Sequence, residues 1–227
     1  MQQSVVDEHA AQFDDALADR PAGSQREFAA ATYILGHLQR AGYVPLLDPV
    51  PVKDLIRSTN VVAAPPSAER PEVVVTVAYD TGPGAEPTGT SIGVWLELAR
   101  ALYARDRDHP VEFVALGAEH TRVNEGNLGS RRLVEFLREE DLSPLIVSLG
   151  DVSADGAEVT VGGDAASDLL VVADRLGVPT GAAGSLGPTD VVFRRAGLHD
   201  ISIDGGAGDV GRVLLEFLAG GATPSPS

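Results

Sequence analysis

The pattern of apolar and polar positions along the chain predicts alternating strands and helices. Residues 73–77 carry valine at every position except 76, so a strand here is apolar on both faces. Such a strand is normally buried between two layers of helices in a parallel or mixed sheet. Further strands are predicted at residues 59–63, 111–116, 145–149, 158–161 and 200–204.

Between these strands, apolar residues recur at helical spacing, which predicts helices there. Ser24 and Glu27 have the spacing of a capping box, and Gly42 stands where a left-handed residue ends a helix. The alternation predicts an α/β fold over residues 1–219, a single-domain three-layer αβα sandwich with a central mixed, mostly parallel sheet. Residues 220–227 are small and polar, which predicts a disordered tail. The other predicted helices lie at residues 94–104, 131–139 and 167–176, and from about Asp209 onwards.

The charge of the chain limits its partners. It has 17 basic and 33 acidic residues, a formal net charge of -16. Nucleic acids and anionic membranes attract clustered Lys and Arg, so we expect neither as a partner. The absence of cysteine excludes disulfides and thiolate metal sites. Residues 1–8 lack the regions of a signal peptide, and no apolar run approaches the roughly 20 residues of a membrane span. We therefore expect a soluble, cytoplasmic protein.

Polar residues follow the ends of two predicted central strands. The first strand leads to Asp80, and the strand at residues 111–116 leads to Glu119 and His120. Open α/β sheets bind ligands at the carboxyl ends of their strands, so we expect a cleft here. The glycine-rich turn at residues 82–89 lacks the Gly-Lys-Ser/Thr ending of a phosphate-binding loop.

The order of these segments resembles the M28 family of zinc exopeptidases. In that family the first strand ends in His-x-Asp, the glycine-rich turn reads Gly-Ala-x-Asp-Asn, and the second strand ends in Glu-Glu. Residues 20–24 and 189–198 extend the resemblance over nearly the whole chain, which implies the zinc-exopeptidase fold. The corresponding stretches here read Ala78-Tyr79-Asp80, Gly84-Ala85-Glu86-Pro87-Thr88 and Glu119-His120.

The resemblance implies a site for two zinc ions, yet its ligand positions carry other residues here. The first ligand His falls on Ala78 and the bridging Asp on Pro87. The third ligand falls on Gly150, or on Asp151 if the strand slips by one residue. The late ligand His is absent from residues 204–208. Because catalytic zinc needs imidazole or carboxylate ligands, we predict no metal site and no cofactor.

Parts of the family's site are retained. Glu119 stands at the position of the family's general base, and His120 replaces a ligand Glu. Asp80 is kept, and in the family it orients the ligand His. An alternative is a single-metal site rebuilt from His120, Asp80, Asp151 or Glu86, which would need three ligands with correct surroundings.

Each candidate residue can also be explained without a catalytic or ligand-binding role. Glu119 is then a polar residue lining a former cleft, and His120 is a hydrogen-bonded loop histidine rather than a titrating group. His199 either faces the cleft or lies on the surface at a strand start. Glu119 and His120 are the candidate catalytic residues, and the candidate cleft residues are Asp80, Glu86, Asp151, Asp190 and His199.

Three functional hypotheses follow. The first is a relative of the aminopeptidases that has lost two-zinc activity and binds a small peptide, an amine or a protein partner. The second is an active hydrolase or cyclase of metal-independent or single-metal chemistry, using Glu119 and His120. The third is a structural subunit of an oligomer. A fold alone does not justify a peptidase activity.

Overall fold

A computed structural model describes residues 1–68, 70–82, 88–154, 156–183 and 187–220. Helices and strands alternate along nearly the whole of this part of the chain. Two short helical turns, a π-helical one at Gln12–Ala16 and a 3-10 one at Val123–Glu125, lie between the regular elements. The helices are α1 (Gln3–Ala11), α2 (Gln25–Ala41), α3 (Gly89–Arg105), α4 (Leu128–Glu139), α5 (Ala166–Arg175), α6 (Pro188–Arg195) and α7 (Ala207–Ala219). The strands are β1 (Val44–Lys53), β2 (Ile56–Ala64), β3 (Val73–Ala78), β4 (Val111–Leu116), β5 (Leu145–Ser153), β6 (Val159–Gly162), β7 (Thr180–Ala182) and β8 (Asp200–Gly206).

The strands form one mixed sheet in the order β1-β2-β4-β3-β5-β8-β6-β7. The pairings at its centre, β4 with β3, β3 with β5 and β5 with β8, are all parallel, and so is the pairing of β6 with β7. The pairings of β1 with β2, β2 with β4 and β6 with β8 are antiparallel. The predicted strands and the mixed, mostly parallel sheet are confirmed.

Strand β3 shows why the sheet is covered on both faces. Val73, Val75 and Val77 join one core cluster, which contains side chains from α1, α2, α3, α5 and α7. Val74 points to the opposite face, where the second cluster includes side chains from α4 and α6. A strand that is apolar on both faces is stable only between two such layers. The predicted three-layer αβα sandwich is therefore confirmed.

Helix α2 begins at the predicted cap, but the second hydrogen bond of the capping box, the one accepted by Glu27, has a different donor. The hydroxyl of Ser24 accepts the N–H of Glu27 at 3.0 Å, as a capping box requires. The Glu27 carboxylate accepts the N–H of Gly23 instead of that of Ser24, and also the Ser58 hydroxyl. Burial raises the pKa of Glu27 to about 7. Gly42, at φ 110°, ends the helix as predicted.

Four elements, α1, β1, β7 and α6, were not predicted from the sequence. Strand β1 contains Pro45, Pro49 and Pro51, and prolines argue against a strand because they cannot donate to the ladder. They are tolerated here because β1 lies at the edge of the sheet and pairs only with β2.

The ends of the chain add two observations. Of the predicted tail, Gly220 follows α7, and residues 221–227 lie outside the described residues. No helix in the described part of the chain is long and apolar enough to cross a membrane.

Burial of the Glu112 carboxylate on β4 lowers the stability of the fold, and this effect can be tested. Glu112 is 8% exposed, and its Oε1 has no hydrogen-bond partner among the described residues. Burial raises its pKa from 4.5 to about 7, so the folded state holds a proton that the unfolded chain loses. The contribution of Glu112 to the free energy of unfolding is therefore most favourable below pH 4.5, where the group is protonated in both states. This contribution is lost as the pH rises through 7.

We expect Glu112→Gln to stabilise the protein at pH 8 by about 1–2 kcal/mol, because the buried charge is removed. At pH 5 the gain should be smaller. Urea unfolding at both pH values measures the difference, with Glu72→Gln as a control because Glu72 is exposed at the start of the neighbouring strand. An equal effect of Glu112→Gln at the two pH values would contradict this account.

Candidate functional site

A cleft of about 570 Å³ opens at the carboxyl ends of the central strands. Strands β3, β4, β5 and β8 form its floor, and the starts of α3 and α6 form its sides. This is the edge at which open α/β sheets bind ligands, and where the sequence indicated a cleft. It is lined by Thr76, Val77, Ala78, Thr88, Ser91, Leu116, His120, Ser148, Leu149, Gly150, Asp151, Gly187, Pro188, Thr189, Asp190, Ser202 and Asp204.

Asp80 connects the end of β3 to the turn after β4. Its fully buried carboxylate accepts the backbone N–H of Glu119 at 2.9 Å and that of His120 at 3.0 Å. Ala118, just before them, has a φ of 55°, which is uncommon for a residue other than glycine. This left-handed residue turns the chain so that two successive N–H groups meet one carboxylate.

His120 lies in the wall of the cleft. Its Nδ1 is 3.2 Å from Asp80 Oδ1, and its side chain is 38% exposed. The hydrogen bond to Asp80 raises the pKa of His120 above 6.5, although burial opposes the shift. The pair therefore favours a protonated imidazole facing the cleft, and Asp80 both orients and charges it.

Glu119 is buried behind the cleft-lining residue Thr189 and is not itself among the lining residues. Its Oε1 accepts the N–H of Ser130 in the first turn of α4 at 2.7 Å. Its Oε2 accepts the Thr189 hydroxyl, in the first turn of α6, at 2.7 Å. Burial raises the pKa of Glu119 to about 7. With both oxygens engaged, the carboxylate holds the starts of α4 and α6 together beneath the cleft.

A row of hydroxyl groups crosses the cleft floor. Thr76 on β3 pairs with Ser148 on β5, which pairs with Ser202 on β8, so the three residues share one face of neighbouring strands. All three are buried, and Thr76 Oγ1 donates to Ser148 Oγ at 3.2 Å. These residues were missed in the sequence. The available signal was a polar residue in each of three apolar strands, but their alignment depends on the strand register.

Within the described part of the chain, two buried polar atoms of the cleft have no hydrogen-bond partner. Asp190 is 4% exposed; its Oδ2 accepts the N–H of Gly187 at 2.9 Å, and its Oδ1 makes no hydrogen bond. Ser202 is 6% exposed, and its Oγ also makes none. Burial raises the pKa of Asp190, an effect that the Ser148 hydroxyl and the Gly187 N–H oppose. Unpaired buried polar groups are costly, so these atoms mark a place where a ligand can form hydrogen bonds.

A bulge in β5 shapes the neighbouring wall. The pairing with β8 shifts between Leu149 and Val152, so that two residues of β5, Gly150 and Asp151, lie opposite one residue of β8. The backbone N–H of Asp151 donates to Asp204 Oδ1 at 2.6 Å. A Cβ on Gly150 would lie 2.1 Å from the same oxygen, so this approach requires glycine. Bulges of this kind are frequent beside functional sites.

His199 lies on the surface at the start of β8, the second of the two positions considered for it, so its inclusion among the candidate cleft residues is wrong. It precedes β8 at the amino end of the strand, and its Nδ1 is 3.0 Å from Asp164 Oδ2. Its side chain is 68% exposed. The cleft lies at the carboxyl end of β8. A side chain at the amino end of this strand therefore cannot reach it.

The remaining predicted positions divide into two groups. Ala78 and Asp151 line the cleft, as does Asp190. Glu86 and Pro87, the predicted cleft residue and the position of the family's bridging Asp, lie outside the described residues.

The sequence profile described as peptidase family M28 matches residues 60–190, more than half of the chain. The chain belongs to peptidase family M28. The match begins in β2 and ends at Asp190, so it includes the cleft from β3 to the start of α6.

Individual relatives place this M28 protein among aminopeptidase-like folds. The aminopeptidase YwaD of Bacillus subtilis is 38% identical over 82 residues, which cover 34% of this chain and 17% of that protein. The Legionella pneumophila LapA aminopeptidase superimposes with a TM-score of 0.79 at 13% identity, covering 100% of this chain and 72% of the other. A glutaminyl cyclase of Tannerella forsythia has a TM-score of 0.76 at 15% identity, covering 96% and 98%. At these identities the structural matches establish the zinc-exopeptidase fold alone.

The donors of this M28 cleft do not fit the two-zinc centre that the family implies. Ala78 offers a methyl group where a ligand imidazole is expected. Both carboxylate oxygens of Asp80 already accept backbone N–H groups. Among residues 1–68, 70–82, 88–154, 156–183 and 187–220, no three His, Asp or Glu side chains are grouped so that they could hold a metal ion. The described residues therefore provide no ligand set for a zinc-dependent step.

We expect Asp80→Asn to lower the pKa of His120, because the charged acceptor of its Nδ1 is lost. A raised histidine pKa contributes stability below pH 6.5 that is lost as the pH rises through the folded pKa, so the variant should lose this pH-dependent stability. Titration of the His120 ring by NMR measures the shift, with Asp164→Asn as the control. An unchanged His120 pKa would contradict the assigned pair.

Proposed function

We propose that this M28 protein is a non-catalytic binding protein whose cleft holds a small cationic amine, such as the free amino end of a short peptide. The observation that carries the proposal is a pair of buried cleft atoms, Asp190 Oδ1 and Ser202 Oγ, that have no hydrogen-bond partner among the residues that the structure describes. An ammonium group has three N–H donors and no acceptor, so it complements a carboxylate and a hydroxyl oxygen.

The charge of the cleft supports a cationic ligand. Asp151, Asp190 and Asp204 line it, while His120 is the one basic side chain among the described lining residues. The formal net charge of -16 also attracts cations from a distance. A buried carboxylate gains most from a charged donor, because such hydrogen bonds are stronger than neutral ones.

The surroundings of Glu119 favour binding over peptide hydrolysis. A general base must lie within hydrogen-bond reach of the proton that it removes. Glu119 is 5% exposed, both of its oxygens accept hydrogen bonds from α4 and α6, and it does not line the cleft. With Ala78 at a family ligand position, the proposal is that the cleft remains and the hydrolytic chemistry is lost.

The decisive experiment compares two tripeptides by isothermal titration calorimetry. Leu-Gly-Gly carries a free amine, and N-acetyl-Leu-Gly-Gly is the same peptide without the charge. We expect the free peptide to bind more tightly. Asp190→Asn should weaken its binding by at least about tenfold, because a charged acceptor becomes neutral. Asp168→Asn, on the exposed surface of α5, is the matched control. Equal affinity for the two peptides would refute the amine site.

A second measurement tests the loss of catalysis. Protein purified with zinc supplied and then desalted is analysed for metal content, and leucine release from Leu-Gly-Gly is followed. We expect near-zero zinc per chain and no release. Zinc-dependent release that Glu119→Gln abolishes would show that the protein is a peptidase and that the ligand assignment is wrong.

A second candidate function is metal-independent acid–base chemistry, for example cyclisation of an amino-terminal glutamine with release of ammonia. Glu119, with a pKa near 7, is adjacent to His120, whose pKa is raised by Asp80, and the fold is shared with a glutaminyl cyclase. This alternative predicts ammonia release from Gln-Gly-Gly that a chelator leaves unchanged and His120→Ala abolishes. Absence of ammonia would exclude it for this substrate.

A further inference from the structure

The amino-terminal segment packs unusually closely on α3. A Cβ on Gly89 would lie 2.5 Å from the carbonyl oxygen of Ala10, and one on Gly93 would lie 2.6 Å from that of Val6. Real side chains cannot make such contacts, so glycine lets the backbone of α1 touch that of α3. Docking of the segment also depends on its side-chain contacts, including those of Val6 and Phe13, which are buried in the main core.

Three aromatic rings provide one of these contacts, between α1 and α2. His9 is 5% exposed, and its Nδ1 is 2.8 Å from the hydroxyl of Tyr33. The rings of His9 and His37 meet edge to face with centroids 4.5 Å apart. The Tyr33 and His37 rings lie 4.3 Å apart. Two imidazoles this close repel each other when both are protonated.

The charges around the two imidazoles come from three helices. Glu8 lies on α1, Arg40 on α2 and Glu97 on α3, and all three act on His9. The Glu97 carboxylate is already held by Arg100 at 2.6 Å and by the backbone N–H of Gln2. Arg40 acts on His37 as well and disfavours a second positive charge there.

When the segment is docked, the neutral forms of His9 and His37 are therefore favoured. Burial lowers the pKa of His9, although Glu8 and Glu97 oppose the shift. Burial, then His9 and Arg40, lowers the pKa of His37 from 6.5 to about 4. The docked state binds fewer protons than the released state below pH 6.5. Docking is consequently strongest above that pH and weakens as the pH falls towards 4.

The same segment continues to the wall of the cleft. Asp14 Oδ1 accepts the N–H of Gly89, the first residue of α3, at 3.0 Å. Arg20 is 1% exposed, and its Nη2 donates to the hydroxyl of Thr88, a cleft-lining residue, at 2.7 Å. Its Nη1 donates to the carbonyl oxygens of Phe13 and Leu17. The segment thus holds the start of α3 in place.

We propose that residues 3–20 form a pH-sensitive strap, docked at neutral pH by the uncharged ring cluster of His9, Tyr33 and His37, and released in mild acid. Release would free Thr88 and the first turn of α3 from Asp14 and Arg20. The strap thereby couples mild acidification to loosening of one wall of the cleft, whatever the cleft binds.

Hydrogen exchange followed by mass spectrometry tests the strap on the whole chain. Protection factors, corrected for the intrinsic effect of pH, are compared at pH 7.5 and pH 5.0. We expect residues 3–16 and the first turn of α3 to lose protection about tenfold at pH 5.0, while β5 changes much less. A local measurement is needed because burial also lowers the pKa of His109, which affects global stability. Equal loss in the strap and in β5 would overturn the proposal.

Variants assign the effect to the ring cluster. His37→Gln should reduce the loss of protection, and the double variant with His9→Gln should abolish it. His199→Gln, on the exposed histidine far from the strap, should leave it unchanged. NMR titration of the wild-type rings is independent of variant folding, and a His37 pKa near 6.5 would also overturn the proposal.

Discussion

The carboxylate of Asp80 joins the ends of β3 and β4 by accepting two successive backbone N–H groups. A fully buried carboxylate is tolerated only when hydrogen bonds replace its lost hydration, so the turn after β4 has little freedom. The left-handed Ala118 follows from this constraint, since it presents both N–H groups to one acceptor. The turn directs Glu119 under the cleft and His120 into its wall. The positions of these two side chains thus depend on one charge-assisted contact.

The M28 framework survives here because most of it is backbone and packing. The cleft still opens at the carboxyl ends of the central strands, and its floor is polar through the row of Thr76, Ser148 and Ser202. Catalytic zinc, in contrast, needs several side chains of specific type converging on one point. Replacing one such side chain, as with a methyl group at Ala78, removes a ligand without disturbing the strand that carries it.

The sequence was sufficient for most of the fold because local and global preferences agree. The valines of β3 require cover on both faces, and the structure supplies it with two helical layers. The edge strand β1 escaped prediction because its three prolines contradict local strand preference, and only its place at the edge of the sheet resolves the conflict. The cap of α2 was predictable from spacing, but the actual partner of Glu27 depends on Ser58 of another strand.

By itself, the sequence determined which residue types are available to the site: an Asp after β3, a Glu and a His after β4, and no ligand side chain at position 78. Only the tertiary structure decided how these residues are used. It places His199 at the amino end of β8, engages both oxygens of Glu119 with α4 and α6, and aligns three hydroxyl groups in the cleft that Asp190 also lines. Residue identity is local information, whereas strand register, helix packing and burial depend on distant parts of the chain, and those determine which polar atoms meet.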